Sequence, residues 1–403
     1  MFKTSAGTLL LILAAAFVAP LIASRLPGLR VPALVFEILL GMMIGPEILD
    51  LVDVSAPIHL LSNLGLATLI FLAGFELDLG RVRGTPLRLA VTGWAISVAL
   101  GLAVAAVMLA TGMIKAELYV AFALTTTALG TLLPIIRDEG LLTSRFGTHV
   151  LAIGSVGEFF PIIAIALVLS GTDTWNAALS LVAFAMVSVG AVFVAMRGRP
   201  GHLRRQLGRT LRSSGQLYIR LALVLIGLMA FLAAELGLDF LLGAFMAGIV
   251  YRLYVSAGAP SEEIETMESK LEAVSFGYLV PIFFVVTGIT FDLGSLGQVT
   301  AALKVPVFIV AFLVVRGLPV LLYRSEFADR PTSWALALFS ATGLPLIVAI
   351  TQIGVEANQM RSSTAAALVG AGMISVIVFP LIGTRLVSAT ARPPGPLPES
   401  SAQ

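Results

Sequence analysis

The chain is 403 residues long, 58% hydrophobic and only 12% charged, with a formal net charge of +2 and a mean hydropathy of +1.01. Apolar content this far above the globular norm, with charged content about half of it, marks an all-α membrane protein whose first partner is the lipid bilayer. Without cysteines, and with only His59, His149 and His202 as histidines, the chain has no ligand set for zinc, haem or iron–sulfur clusters; the lack of a Gly-Lys dipeptide and of a G-x-G-x-x-G after a strand removes a phosphate-binding loop and a dinucleotide fold, so no cofactor is expected.

Apolar runs near the roughly 20 residues that a bilayer requires fall at 5–25, 31–50, 60–79, 86–112, 117–137, 147–170 and 176–196, then at 215–236, 238–254, 272–292, 299–323, 332–353 and 364–387. They predict 13 transmembrane helices. The first run, with Lys3 ahead of an apolar stretch and small residues, also fits a cleaved signal peptide; it is kept as a helix because the repeat described below needs it.

Loop charges set the orientation. Arg25 and Arg30, then Arg81, Arg83 and Arg88, then Arg137 and Arg145, then Arg197, Arg199, Arg204, Arg205, Arg209 and Arg212 fall on alternate loops, which the positive-inside rule places in the cytoplasm. The opposite loops hold Asp50, Asp53, Lys115, Glu117 and Asp173. The reading is a multi-pass protein of the cell (inner) membrane, N-terminus outside and C-terminus cytoplasmic. Because the basic residues sit beside spans with no interleaved aromatics, nucleic acid is not the implied partner. The acidic stretch Ser261 to Glu272 is expected to lead helically into the next span, with a cap at Thr266 or Ser269, and the Pro- and Ser-rich tail 391–403 is too short and polar to pack.

The chain also repeats itself. GLATLIFLAGFELDLG at 65–80 parallels GYLVPIFFVVTGITFDLG at 277–294, LLGMMIG from Leu39 parallels LLGAFMAG from Leu241, and TTTALGTLLP from Thr125 parallels FSATGLPLIV from Phe339. Such hidden repeats mark secondary transporters. Two six-helix halves, 1–171 and 213–390, flank a linker of one helix and a basic loop, 172–212. With one helix between them, the halves take opposite orientations, so the repeats are inverted.

In the two polar patches Gly130, Pro134, Gly343 and Pro345 favour unwinding, while the hydroxyls of Thr125, Thr126, Thr127 and Thr342 can re-satisfy freed backbone groups. If both helices break and cross, their ends bring opposed partial charges to the midplane, where ions bind. The alternative is hydroxyl back-bonding in unbroken helices.

At mid-span of 147–170 sits one acid, Glu158. A carboxylate at a helix centre costs roughly 2.5–3.5 kcal/mol on insertion scales, so it faces a wet cavity or a partner. Pro161 has no N–H for the carbonyl of Gly157, which leaves a bare acceptor beside Glu158; carboxylate plus carbonyl is a hard-cation ligand set. A permanently protonated acid bonded to a neighbouring helix is the competing reading. The matching position in the second half, near Met373 or Ile374, is uncharged. Arg316, within 299–323, needs a carboxylate or a carbonyl cluster if it does not snorkel to the surface; Glu158 is one partner for it and Glu37 the alternative. Glu37 and Lys304 also read as anchors near span ends, Glu76 and Asp78 as solvated or as a cation funnel, and the G-x-x-x-G at Gly41 to Gly45 as close helix packing.

Together with PALVFEILLGMMIGPEIL at 32–49, LIFLAGFELDLGRVR at 69–83, TTTALGTLLPIIRDEGLL at 125–142, LLGAFMAGIV at 241–250 and LVPIFFVVTGITFDL at 279–293, these features resemble the monovalent cation:proton antiporter-2 family of the sodium/proton exchanger superfamily. The resemblance implies a thirteen-helix fold with a core domain and a dimerisation domain, elevator-like movement of the core, and a homodimer. It further implies that Glu158 is the ion-binding acid, that Thr126 and Thr127 lie in the unwound crossing, and that Arg316 falls where the family often has a basic residue. The family commonly shows Asp at the position of Glu158, preceded by Asp, Asn or Gln, where this chain has Gly157.

The expected function is a secondary active transporter, not an enzyme, in which Na⁺ or K⁺ and protons compete for Glu158. One carboxylate shared between two monovalent ions predicts one-for-one electroneutral exchange. A cation channel or uniporter, and a sodium-coupled organic-solute carrier, are the rival functions on the same scaffold.

Overall fold

The computed structural model describes residues 3–25, 31–76, 84–169, 174–197, 215–256, 261–296, 302–327 and 329–390. Asp78, Asp173, the arginines at 30, 81, 83, 199, 204, 205, 209 and 212, and the tail 391–403 lie outside them. The described secondary structure is helical throughout, and each apolar run expected from the sequence holds a helix. In chain order the first half contains α1 (Ser5–Ser24), α2 (Ala33–Ile44), α3 (Ala56–Glu76), α4 (Thr85–Ala110), α5 (Glu117–Leu124), α6 (Leu129–Asp138) and α7 (Arg145–Leu169). After α8 (Thr174–Arg197) come α9 (Leu217–Glu235), α10 (Phe240–Ser256), α11 (Ser261–Val274), α12 (Val280–Ile289), α13 (Lys304–Phe312), α14 (Arg330–Ser340), α15 (Pro345–Glu356) and α16 (Ser362–Thr390). Among the described residues, nine helical stretches are long and apolar enough to cross a membrane, and α2 and α10 are among the shorter apolar ones.

The acidic stretch does run helically into the next span: α11 starts at Ser261 and joins α12 through a π-helical turn, Ser275–Leu279. Thr266 and Ser269 are therefore interior rather than caps, and the Thr266 hydroxyl donates to the Glu262 carbonyl at 2.8 Å.

Two helix bundles share the molecule. One joins α2, α3, α10 and α12 with α1 and α9; the other joins α4 and α7 with the two broken pairs α5–α6 and α14–α15 and with α13 and α16. Helix α8 lies against both α7 and α10. The repeat is visible in how the first bundle crosses: α2 of the first half lies on α12 of the second, and α3 of the first half lies on α10 of the second. Lipid tails are as apolar as leucine, so helices in a bilayer associate by close approach of small residues rather than by apolar burial. Here a Cβ on Gly41 would meet the Val285 carbonyl oxygen at 2.1 Å and one on Gly288 the Ile38 carbonyl oxygen at 2.1 Å. At the related crossing, Gly74 would meet the Phe245 oxygen at 2.2 Å and Gly248 the Phe71 oxygen at 2.1 Å. The G-x-x-x-G that begins at Gly41 is thus a packing device, and its second-half relative does the same work on α3.

Candidate ion-exchange site

Both polar patches break their helices. Between α5 and α6 the chain unwinds over 125–128, and between α14 and α15 over 341–344. The hydroxyls close the open ends: Thr125 donates to the Phe122 carbonyl at 2.8 Å, Thr126 to Ala123 at 2.9 Å and Thr342 to Leu338 at 2.9 Å. The unwound strands then bind each other. The Ala128 N–H donates to the Thr342 carbonyl at 2.8 Å, and the Thr127 hydroxyl donates to the Ser340 carbonyl at 2.6 Å. Gly343 sits so close that a Cβ there would lie 3.0 Å from the Thr126 hydroxyl oxygen.

A break exposes two half-helix ends of opposite partial charge, and each needs an opposite partner. At the N-terminal end of α6 the partner is Glu158, whose Oε1 accepts from the Leu129 N–H at 2.9 Å. Its residue is 9% exposed. At the carbonyl end of α14 the partner is Arg316, carried on a π-helical turn, Leu313–Gly317. Its Nε and Nη2 donate to the Thr127 hydroxyl oxygen at 3.0 and 2.6 Å, Nε also to the Ser340 carbonyl at 3.3 Å, and Nη2 to the Ile153 carbonyl at 3.3 Å. Nη1 reaches the Ser97 hydroxyl at 3.4 Å. The guanidinium is 4% exposed, so it does not snorkel, and among the described residues neither Glu158 nor Glu37 forms an ion pair with it. Neutral acceptors satisfy it instead: two hydroxyls, the Ser340 carbonyl at the end of α14 and the Ile153 carbonyl of the unbroken α7.

Gly157 follows from the same packing. A Cβ there would lie 2.7 Å from Arg316 Nη2 and 2.7 Å from the Thr127 hydroxyl oxygen. Helix α7 runs unbroken through Pro161, yet the Gly157 carbonyl that Pro161 frees is not bare: it accepts from the Thr127 N–H at 3.1 Å. The expected spare ligand docks the unwound strand.

Glu158 also faces space. A cavity of about 620 Å³, walled by both bundles, is lined by Glu158, Gly130 and Pro345 together with Glu37, Glu76, Arg137 and Glu272. The carboxylates are spaced along it: among the described residues no group of three acids or histidines is close enough to hold a metal ion together. Glu37 is 6% exposed and lines the cavity, so it is not an anchor at a span end. Glu76, expected to be solvated, stands in the same wall, with its Oε2 buried and without a hydrogen-bond partner. Lys304 is likewise buried rather than anchored, with Nζ 3.3 Å from the Thr364 hydroxyl.

The model of the family described as "Sodium/hydrogen exchanger, transmembrane" matches residues 12–389. The chain belongs to the sodium/hydrogen exchanger family. Its relatives include YjbQ of Bacillus subtilis, 28% identical over 98% of this chain and 65% of its own length. The Na⁺/H⁺-K⁺ antiporter GerN of Bacillus cereus is 28% identical over 65% of this chain and 66% of its own, and the Na⁺/H⁺ antiporter NhaS4 of Synechocystis is 28% identical over 72% of this chain and 76% of its own. The chain thus spans about two thirds of the length of the first two. Among solved structures, the sodium proton antiporter MjNhaP1 of Methanocaldococcus jannaschii superposes with a TM-score of 0.64 over 94% of this chain and 95% of that one, at 17% identity, so the exchanger fold is shared.

Three serines of this exchanger's crossing escape a sequence reading. Ser97 and Ser340 serve Arg316, and Ser375 on α16 accepts from the Gly343 N–H at 3.3 Å and donates to the Gly343 carbonyl at 3.1 Å. Ser97 and Ser375 are lone small polar residues in apolar runs, whereas Ser340 lies inside the second polar patch, where nothing singles out its role.

Proposed function

We propose that this chain is a secondary active transporter that exchanges Na⁺ or K⁺ for protons across the membrane. The observation that carries the reading is that Glu158 both caps a half-helix at the crossing and lines a cavity leading out of the protein. An acid in that position binds a proton or a monovalent cation, not both at once, and exchange follows from the competition. The cap on Leu129 orients the carboxylate, and Arg316 meets the carbonyl end of α14 and the Thr127 hydroxyl without occupying the carboxylate. Thr126 and Thr127 place the strand beside it. The names borne by GerN and NhaS4 support the same ion classes.

In this reading the bundle of α4–α7 and α13–α16 carries the ion past the bundle of α2, α3, α10 and α12, as an elevator, in a homodimer. The positive-inside pattern puts the N-terminus outside, the C-terminus in the cytoplasm, and the cavity mouth at Arg137 on the cytoplasmic face. A single shared carboxylate makes the exchange electroneutral, since an extra net charge moved would respond by about 2.3 kcal/mol per 100 mV. The test is purified protein in proteoliposomes with an internal pH dye: adding Na⁺ or K⁺ dequenches the dye with wild type, and Glu158→Gln abolishes the response. A Glu158→Gln protein that exchanges at the wild-type rate overturns the assignment.

A further inference from the structure

Glu37 has no role in the exchange as derived so far. It sits one turn into α2, 6% exposed, and among the described residues it has no hydrogen-bond or ion-pair partner. An ionised carboxylate buried that deeply is normally paired or bound to a cation. The helices that pack on α2 offer neither: α1 and α12 contain no ionisable residue. What Glu37 faces is the cavity, and across it stand Glu158 on α7, Glu76 on α3, Glu272 on α11 and, as the one cation of the lining, Arg137 on α6. Glu37 and Glu158 belong to different bundles and line the same cavity.

We infer that Glu37 is a second binding carboxylate of the exchanger, fixed on the α2–α3–α10–α12 bundle, which takes the incoming Na⁺ or K⁺, or a proton, before Glu158 does. The inference rests on the exchange reading. Its chemistry is that of the main site: the carboxylate oxygen holds either a proton or one monovalent cation, and the displaced ion leaves into the cavity with no change in net charge. Because the cavity spans both residues, a cation that leaves Glu37 reaches Glu158 without crossing hydrocarbon. Clefts lined by one sign of charge between low-dielectric walls raise local counter-ion concentration, and Glu37 does this from the wall of the cavity that Glu158 also lines.

The experiment measures exchange against cation concentration at several pH values in proteoliposomes. Glu37→Gln raises KM for Na⁺ or K⁺ roughly tenfold while the maximal rate stays within about twofold, the pattern of lost uniform binding. The dependence of KM on proton concentration drops from two ionisations to one, and Glu37→Asp restores both features. Unchanged KM and pH dependence in Glu37→Gln overturn the inference. A second measurement needs no transport: in the Glu158→Gln protein, dicyclohexylcarbodiimide labels protonated Glu37, and mass spectrometry reads the rate. Slowing by added Na⁺ or K⁺ supports a site at Glu37 independent of the carrier; labelling indifferent to both cations overturns it. If Glu158→Gln still exchanges ions, it is the main reading that falls, and the labelling still decides Glu37.

Discussion

In the first half of the chain the helix after the break sends a carboxylate back to it; in the second half the corresponding helix sends a hydroxyl. Glu158 accepts from the Leu129 N–H, whereas Ser375 bonds both the N–H and the carbonyl of Gly343. The two breaks are otherwise alike: each is a short unwound stretch between half-helices, each has its last carbonyls met by threonine, and they share the Ala128–Thr342 bond. A serine satisfies backbone with neutral groups and leaves nothing to titrate. A glutamate satisfies it and keeps an oxygen for an ion. Among the described residues, the related scaffold halves therefore place a carboxylate at one break and a hydroxyl at the other.

Exchanging the roles breaks this contrast most sharply. Glu158→Gln removes all cation-driven proton movement, while Ser375→Ala leaves exchange measurable and costs about 1–3 kcal/mol for the buried Gly343 groups it orphans. Thermal unfolding in detergent and dye dequenching in vesicles read the two effects separately. Should Ser375→Ala abolish exchange with stability intact, the second break has a chemical role after all.

The breaks themselves were legible. Polar patches with Gly and Pro announce unwinding from local chemistry alone, and the interruptions fall within them at 125–128 and 341–344, although Gly130 and Pro134 themselves are helical in α6 and Pro345 opens α15. Gly41 was legible as a packing site from its G-x-x-x-G, whereas its partner Gly288 and the Gly74–Gly248 pair emerge only from the fold. What the sequence did not carry is which groups meet across the fold. Pro161 frees the Gly157 carbonyl by a rule that holds within one helix, but its new partner, the Thr127 N–H, comes from a strand thirty positions earlier. Arg316 is expected against a carboxylate because a buried cation calls for one; the hydroxyls and carbonyls that satisfy it, from Thr127, Ser97, Ser340 and Ile153, are far apart in the chain and meet only in the fold. Likewise Glu37, Glu76 and Glu272 are far apart along the chain, and only the packing of the two bundles puts them on one cavity.

The neutral satisfaction of Arg316 sharpens the comparison next. Arg316→Met removes donors from the Thr127 hydroxyl and the Ile153 carbonyl, while the Ser340 carbonyl keeps its bond from Thr127, at about 1–3 kcal/mol for each group orphaned. Gly157→Ala drives a methyl into the guanidinium and the Thr127 side chain, and overpacking of this kind costs about 1–3 kcal/mol. Because both changes act on one contact, the double variant loses less than the sum of the singles. In both proteins the KM for cation shifts less than the stability does. If Arg316→Met instead changed KM sharply with stability preserved, the guanidinium would be acting on Glu158 directly.

The smallest effect concerns how the second broken helix begins. Asp329 caps α14: its Oδ2 accepts from the Thr332 N–H at 2.9 Å. The hydrogen bonding to Thr332 holds the Asp329 carboxyl below its ordinary value of 3.8. A carboxylate favoured in the folded state stabilises fully above its unfolded pKa and less as pH falls through the folded one, so this cap works throughout the neutral range and fades only below about pH 4. Asp329→Ala costs about 1 kcal/mol, an upper figure here because the group is solvent-screened, and Asp329→Asn, which keeps a capping oxygen, costs less. The first broken helix has no such cap, since Ala116 precedes α5 without a side-chain bond. Placing Asp at Ala116 is not an equivalent repair, because Ala116 is itself buried. The two breaks thus differ at their entrances as well as at their centres: melting followed from pH 7 down to pH 3 shows the Asp329→Ala deficit closing as the wild-type carboxyl takes up its proton, while variants of the Glu158 half show no matching change from a cap.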